Sequence, residues 1–388
     1  MSNYAENPES FIPFNRPSVE GRELDYIKSA VEHGHTSASG PFTALAVDEL
    51  KAATGAADVL LTTSCTAALE MSAILLDIRP GDTIVAPSFG FVTTALAFVR
   101  AGAKVRFCDI EPDTLSLDVD RLADIMDDTV KAVVPIHYSG IGGRIADMCD
   151  VVERWPRADI VEDNAHGLFG TYRGEPLGSF GRFSTLSFHE TKNFICGEGG
   201  ALVVNDEADI DRAHVIYDKG TNRRAFLHGQ VDKYSWQDVG SSFGMADVLA
   251  AYLYGQLEEK ESILRKRRHV FDHYFDALSP FVDSHGIRLP VVPDDCEQAY
   301  HMFYVLLPDA EMRNHVLKAM NDDDIYATFH YVPLHSSPGG VAVAAEELAC
   351  PVTDDVSRRL LRLPFFTSLG QADLDRVTES FISAVEQF

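Results

Sequence analysis

The chain has 388 residues and carries 59 acidic against 33 basic side chains, a formal net charge of −26. That balance excludes non-specific nucleic-acid binding and docking on anionic lipid as main functions. Hydrophobic residues at 46% and charged residues at 24% match a soluble globular protein, and no apolar run approaches the length of a membrane span.

The length suits one large and one smaller domain. The start, "MSNYAENPESF", has neither the basic nor the apolar part of an export signal. Six cysteines without paired metal-type spacing point to a reducing cytoplasm.

From about residue 56 to 205 short apolar runs alternate with helical patterns. "DVLLT" (58–62), "DTIVAP" (82–87), "AKVRFCD" (103–109), "KAVVPIH" (131–137) and "ADIVED" (158–163) read as strands. "TAALEMSAILLD" (66–77) and "IADMCDVVERW" (145–155) read as helices between them. "RFSTLSF" and "GALVVN" (200–205) add two further strands. Alternation on this scale implies right-handed crossovers and a mostly parallel, seven-stranded sheet between helices. Such sheets bind ligands just beyond the carboxyl ends of their strands. The run 245–279 reads as two helices or one bent helix. It leads from a large α/β domain (1–255) into a smaller α+β domain (256–388), with strands in "HMFYVLL" and "IYATFHYV" and helices near 310–320, 353–361 and 371–386.

Four stretches fall at strand ends. "TTSCTAAL" (62–69) opens a helix with small hydroxylic residues. Free backbone N–H groups, the helix dipole and the Ser64 and Thr66 hydroxyls there suit a phosphate, although such residues also cap ordinary helices. "PSFGFVTTALA" (87–97) sets Phe89 and Phe91 at the next junction, as core aromatics or as a face for a planar heterocycle. "VEDNAH" (161–166) ends a strand in Glu162 and Asp163, which either cap a turn or hold a proton on a ring nitrogen. His166 is then a candidate beside that ring. "LSFHETKN" (186–193) places Lys192 before the Gly-rich "CGEGG". A lysine meant for Schiff-base chemistry needs its pKa lowered by burial or nearby positive charge. Ser187 can add a phosphate hydrogen bond. Each feature alone has a plainer reading. Together they supply a phosphate cup, an aromatic cover, a carboxylate for a pyridinium nitrogen and a Schiff-base lysine, the parts that pyridoxal 5′-phosphate (PLP) requires. Metal readings fail: "HGH" (33–35) and "HYVPLH" (330–335) lack companion ligands.

From "FIPFNRPSVEGRELDYI" to "LRLPFF" the chain resembles the DegT/DnrJ/StrS sugar aminotransferases, PLP enzymes of fold type I. The shared stretches include "SFHETKN", "GEGGALVVND", "KGTNRRAFLHGQVDKYSWQDVGSS", "AYHMFYV" and "FHYVPLHSSP". Within the family it is most similar to members that convert a dTDP-4-keto-6-deoxyhexose to the 4-amino-4,6-dideoxy sugar of galacto configuration. The resemblance implies that Lys192 carries the cofactor and later moves the proton, that Asp163 pairs with the pyridine nitrogen, and that Phe91 stacks on the ring with His166 beside it. It assigns the phosphate to Ser64, Cys65, Thr66 and Ser187. Arg223 and Arg224 are expected to meet the substrate diphosphate, with His189, His330 and Tyr331 also at the substrate. Glutamate is the expected donor and a homodimer with shared active sites the expected assembly. Many members carry G-x-N-x-R-M, whose asparagine reaches the partner's phosphate. Here the run is "GSSFGM", with Ser242 at the asparagine position and Gly244 at the arginine position. The alternatives are another nucleotide keto-sugar (UDP- or GDP-linked, or 3-keto) and a non-catalytic PLP-binding regulator. A PLP-dependent sugar dehydratase is disfavoured, because such relatives replace the lysine by histidine.

Overall fold

A computed structural model describes residues 10–227 and 229–388. The start of "MSNYAENPESF" and His228 therefore lie outside the described residues. The central sheet has seven strands: β1 (Asp58–Thr62), β2 (Thr83–Pro87), β3 (Lys104–Cys108), β4 (Val130–Val133), β5 (Asp159–Asp163), β6 (Phe183–Ser187) and β7 (Gly200–Val204). Their spatial order is β1-β7-β6-β5-β4-β2-β3. The β2–β3, β2–β4, β4–β5 and β5–β6 pairs are parallel, while β7 runs antiparallel to both neighbours. The sheet is mostly parallel, as the strand–helix alternation implies.

Period-two alternation of side chains assigns each strand to two helical layers at once. In β1, Leu60 faces the layer that holds the helices Cys65–Leu75 and Thr93–Arg100, while Val59 and Leu61 face the layer of Pro41–Thr54 and Asp247–Glu258. In β7, Leu202 and Val204 take the first side and Ala201 and Val203 the second. Because both faces are covered, strands such as "TIVAP" and "GALVV" are almost wholly apolar and fully buried.

The predicted long helix is two helices, Asp247–Glu258 and Lys260–Leu278. Residues as far as Ile263 pack into the core under β1 and β7, whereas Val270, Phe271 and Tyr274 join a second core with helices Ala310–Asp322 and Gln371–Glu386. Ile12, from the N-terminal segment, also packs there. "HMFYVLL" contributes only the short strand Tyr304–Leu306, paired with Leu360–Arg362. "IYATFHYV" is not a strand. Ile325 and Thr328 form isolated bridges to Ile12 and Arg362, so this segment is extended but is held by two separate partners instead of a ladder. Among the described residues no helix is long and apolar enough to cross a membrane. All six cysteines are unpaired.

Candidate active site

The carboxyl ends of β1, β5 and β6 converge on a cavity of about 610 Å³. Helix Cys65–Leu75 starts at its floor. Ser64 is the N-cap, with extended backbone and its Oγ accepting from the Ala67 N–H at 3.1 Å. The Cys65 and Thr66 amides stand in the first turn, where N–H groups have no intrahelical partner and point along the positive end of the dipole. Ser187, the last residue of β6, lines the same cavity. The cup presents unpaired N–H donors and hydroxyls of the kind that suits an anion.

Gly200 shows how closely the cup is built. It pairs with Thr62 on one side and Ser187 on the other. A Cβ here would lie 2.3 Å from the Cys65 nitrogen and 2.4 Å from the Ser64 carbonyl carbon. Both are backbone atoms, so no side chain can rotate away. Gly200→Ala is expected to push the helix start off the strand ends, costing about 1–3 kcal/mol in stability and lowering cofactor affinity at least tenfold. Denaturant unfolding and cofactor titration check this; unchanged affinity would show that the cup tolerates the shift.

The two acidic residues of "VED" separate because successive side chains of a strand face opposite sides. Glu162 points away from the cavity and is fully buried. Its carboxylate contacts His137 Nε2 at 2.7 Å and accepts N–H bonds from Gly178, Phe180 and Gly181. It closes the turn before β6. Asp163 faces the cavity, with Oδ2 accepting from Thr94 Oγ1 at 2.6 Å and Oδ1 from the Ala165 N–H at 3.2 Å. Two donors fix its plane.

Lys192 sits in a loop that folds back on itself through Phe188 N–H to Gly199 O, Cys196 N–H to Phe188 O and Glu190 N–H to Gly197 O. Asn193 anchors the loop, donating to Ala299 O at 2.6 Å and contacting His301 Nδ1 at 2.8 Å. Burial pulls the Lys192 ammonium down to about 8 and Arg362 adds to that, with Cys65 and Asp163 pulling the other way. The neutral amine, not the ammonium, attacks an aldehyde. The uptake rate of PLP by cofactor-free protein is therefore expected to rise with pH and level off just above 8. Stopped-flow absorbance across pH 6–11 tests this; a rise continuing to the ordinary lysine value of 10.5 would contradict it.

His166 stacks on His301 with ring centroids 4.1 Å apart and planes at 15°. Burial and the neighbouring cations push both imidazoles well below their ordinary pKa, so both are neutral. His166 Nδ1 is buried without a partner, and the residue lines the cavity. Phe91 is 56% exposed at the rim, whereas Phe89 is fully buried against Tyr138. Of the two aromatics only Phe91 is open to a ligand.

His189, His330 and Tyr331 line the same cavity. His189 Nδ1 lies 2.9 Å from Thr191 Oγ1. His330 stacks on Tyr331 at 3.4 Å. Ser242, Arg223 and Arg224 do not join them: they line a separate cavity of about 820 Å³ with Lys219 and His35. At Gly244 a Cβ would stand 2.7 Å from Ala38 Cβ and 2.9 Å from Tyr217 Oη, so an arginine at this position could not be seated without moving the 35–40 segment.

Several residues of the Lys192 cavity are missing from the sequence-level assignment, and three of them come from outside the sheet's own strand ends. Arg362, His301 and Phe14 line it, and each comes from a segment remote from the sheet. "LRLPFF" and "AYHMFYV" carry the resemblance, but no local pattern marks Arg362 or His301 as facing a pocket.

A buried amine of lowered pKa, a fixed carboxylate and an anion cup at the strand ends of this seven-stranded sheet define a PLP-dependent aminotransferase of fold type I. The residues fit the cofactor on their own terms: a helix start for its phosphate, Asp163 for its ring nitrogen and Lys192 for its aldehyde. The chain belongs to the DegT/DnrJ/EryC1/StrS aminotransferase family, whose sequence profile matches residues 17–382. It is 30% identical over 381 residues to the spore coat polysaccharide biosynthesis protein SpsC of Bacillus subtilis (strain 168), covering 95% of this chain and 96% of that one. It is 31% identical over 333 residues to a dTDP-4-dehydro-2,3,6-trideoxy-D-glucose 4-aminotransferase of Saccharopolyspora spinosa, covering 84% of each. The crystal structure of the aminotransferase TlmJ from Streptoalloteichus hindustanus superimposes with a TM-score of 0.88 at 27% identity, over 97% of this chain and 99% of that one.

Proposed function

We propose that the protein transfers an amino group from glutamate to C4 of a dTDP-linked 4-keto-6-deoxyhexose, giving the 4-amino-4,6-dideoxy sugar nucleotide of galacto configuration. The observation that carries this reading is the shared cavity of Lys192, Asp163 and the Ser64–Thr66 helix start. A relative named for 4-amination of a dTDP-4-dehydro sugar supports the substrate class.

Bound PLP supplies an electron sink that lets a carbon–hydrogen bond break beside nitrogen. The chain's residues do the rest. Ser64, Cys65, Thr66 and Ser187 would hold the phosphate, and Asp163 would keep a proton on the ring nitrogen. Phe91 would stack on the ring, with His166, neutral and stacked on His301, beside it. Lys192, pulled down to about 8 by burial, exists partly as free amine near neutral pH and can accept and return a proton. His189, His330 and Tyr331 present donors and apolar faces to the sugar.

Lys219, Arg223 and Arg224 concentrate positive charge on a chain of net charge −26, as an anionic substrate requires. Their cavity is not the one holding Lys192. Beside it, Leu227, Tyr234, Trp236 and Val239 are more than half exposed. A homodimer in which this loop reaches the partner's site, with Ser242 in the asparagine's place, accounts for both facts. The enzyme would act in the cytoplasm.

The test is a panel of dTDP-, UDP- and GDP-linked keto-sugars with glutamate, with product stereochemistry read by NMR. An axial 4-amino product from the dTDP substrate is expected. Amination only at C3, or only of UDP- or GDP-sugars, would overturn the substrate assignment; a coloured protein that glutamate never bleaches would overturn the transaminase reaction.

A further inference from the structure

Arg267 is a buried cation whose partners are not carboxylates. It stands on helix Lys260–Leu278 and is 3% exposed. Its Nε donates to Tyr300 O at 2.8 Å and a terminal nitrogen donates to His301 O at 2.6 Å. The guanidinium lies over the Phe365 ring, 4.8 Å from the centroid, and burial pulls it below the ordinary arginine value. Arg182 and Arg106 differ: the first pairs with Asp159 and Asp209, the second with Asp127 and Glu346. Burying a cation without a counter-charge is costly. A ligand anion is not the reason here, because the space that Arg267 borders beside Lys192 and Asn193 is about 10 Å³, room for one water and no more.

The two carbonyls belong to a segment that grips the lysine loop. Tyr300 has φ +52°, a left-handed backbone disfavoured for an aromatic residue, which persists only where neighbours hold it. Beside it, Ala299 N–H donates to Gly140 O at 3.1 Å. Asn193, bonded directly to Lys192, is held at both ends of its amide. Its Nδ2 donates to Ala299 O at 2.6 Å, which turns Oδ1 to His301 Nδ1 at 2.8 Å. That ring nitrogen must then carry the proton, and the neutral imidazole, stacked on His166, is fixed in one tautomer. Three consecutive residues join Arg267 to the amide next to Lys192.

We propose that Arg267 is a positioning residue for Lys192, clamping residues 299–301 so that they hold the lysine loop through Asn193. This rests on the reading of Lys192 as the lysine that takes up the cofactor. The amine ends a flexible stem, so the backbone it springs from has to be fixed if the nitrogen is to stay in its cavity. Cys65, Asp163 and Arg362 surround it there, with His166, His301 and His330 close by. Releasing the clamp lets the loop move toward water. The amine then loses both its alignment and the burial that lowers its pKa.

The test follows PLP uptake by cofactor-free protein, by stopped-flow absorbance across pH 6–11, in wild type, Arg267→Met, Arg267→Lys, Asn193→Ala and the Arg267→Met/Asn193→Ala double variant. Wild type should show a midpoint of about 8. Arg267→Met should slow uptake at pH 8 by about 10- to 100-fold and move the midpoint toward 10.5. Arg267→Lys, which still donates, should recover part of both. Asn193→Ala should produce the same two changes, and the double variant should be little worse than either single one, because both cut one chain of contacts. Uptake within about twofold of wild type in Arg267→Met, or losses that simply add in the double variant, overturns this inference. Where Arg267→Met does not fold, Asn193→Ala decides, and wild-type uptake in that variant overturns the proposal. Borohydride reduction keeps the two readings apart: a wild type labelled elsewhere than at Lys192 overturns the lysine assignment and this inference together.

Discussion

Lys192→Ala is expected to lower turnover by at least about four orders of magnitude while leaving the fold and phosphate binding nearly intact. Two separate losses combine. The amine that takes up the cofactor's aldehyde is gone, and so is the group that carries the proton during the exchange; positioned proton transfer alone is worth about 10²- to 10⁴-fold. The fold should survive, because the loop's anchors belong to other atoms: Asn193 side-chain contacts to Ala299 and His301, and backbone bonds from Phe188, Glu190 and Cys196. Removing a buried ammonium also removes a desolvation cost, so thermal stability of the cofactor-free variant should hold or rise. Single-turnover kinetics and calorimetric melting check this, and a variant retaining more than a hundredth of wild-type turnover would contradict the role.

Asp163→Asn carries the second-largest expected effect. Asparagine fills the same space and can still accept from Thr94 Oγ1 through its oxygen, so the strand end and the cavity keep their shape. What disappears is the negative charge opposite the ring nitrogen. Breaking a buried charge pair by removing one partner costs about 3–5 kcal/mol, and most of that would fall on the step in which charge flows into the ring. A loss of about two to three orders of magnitude in kcat is expected, with cofactor affinity reduced much less. Nitrogen-15 NMR of labelled cofactor should show the ring nitrogen protonated in wild type and not in Asp163→Asn. Equal protonation in both would remove Asp163 from the mechanism.

How much of this could be read from the sequence differs by element. The sheet strands were legible because burial on both faces makes most of them short runs rich in apolar residues, and "DVLLT" and "GALVVN" fall within a residue of β1 and β7. The placement of the cup and of Lys192 at strand ends was legible because it is local: the cap and helix start come just after β1, and Lys192 comes just after β6. Alternation along β5 also decides between Glu162 and Asp163 once the strand's direction is known. Failure came where partners are distant in sequence. "IYATFHYV" has the composition of a strand, but its edges meet Ile12 and Arg362 at single bridges, and composition does not report pairing. Arg362 and His301 reach the cavity from the second core through the approach of segments more than a hundred residues from Lys192. Ser242, Arg223 and Arg224 show the opposite case: the motif is evident, but within one chain it lies away from Lys192, and its proposed role depends on a second copy.

The most direct measurement is borohydride reduction of the PLP-loaded protein followed by peptide mapping with mass spectrometry. Reduction fixes the cofactor permanently to whichever nitrogen holds it. A single pyridoxyl label on the peptide containing Lys192 is the expected result. A label on any other lysine, or a protein that binds the cofactor and yields no label, would contradict the assignment on which the chemistry of this site depends.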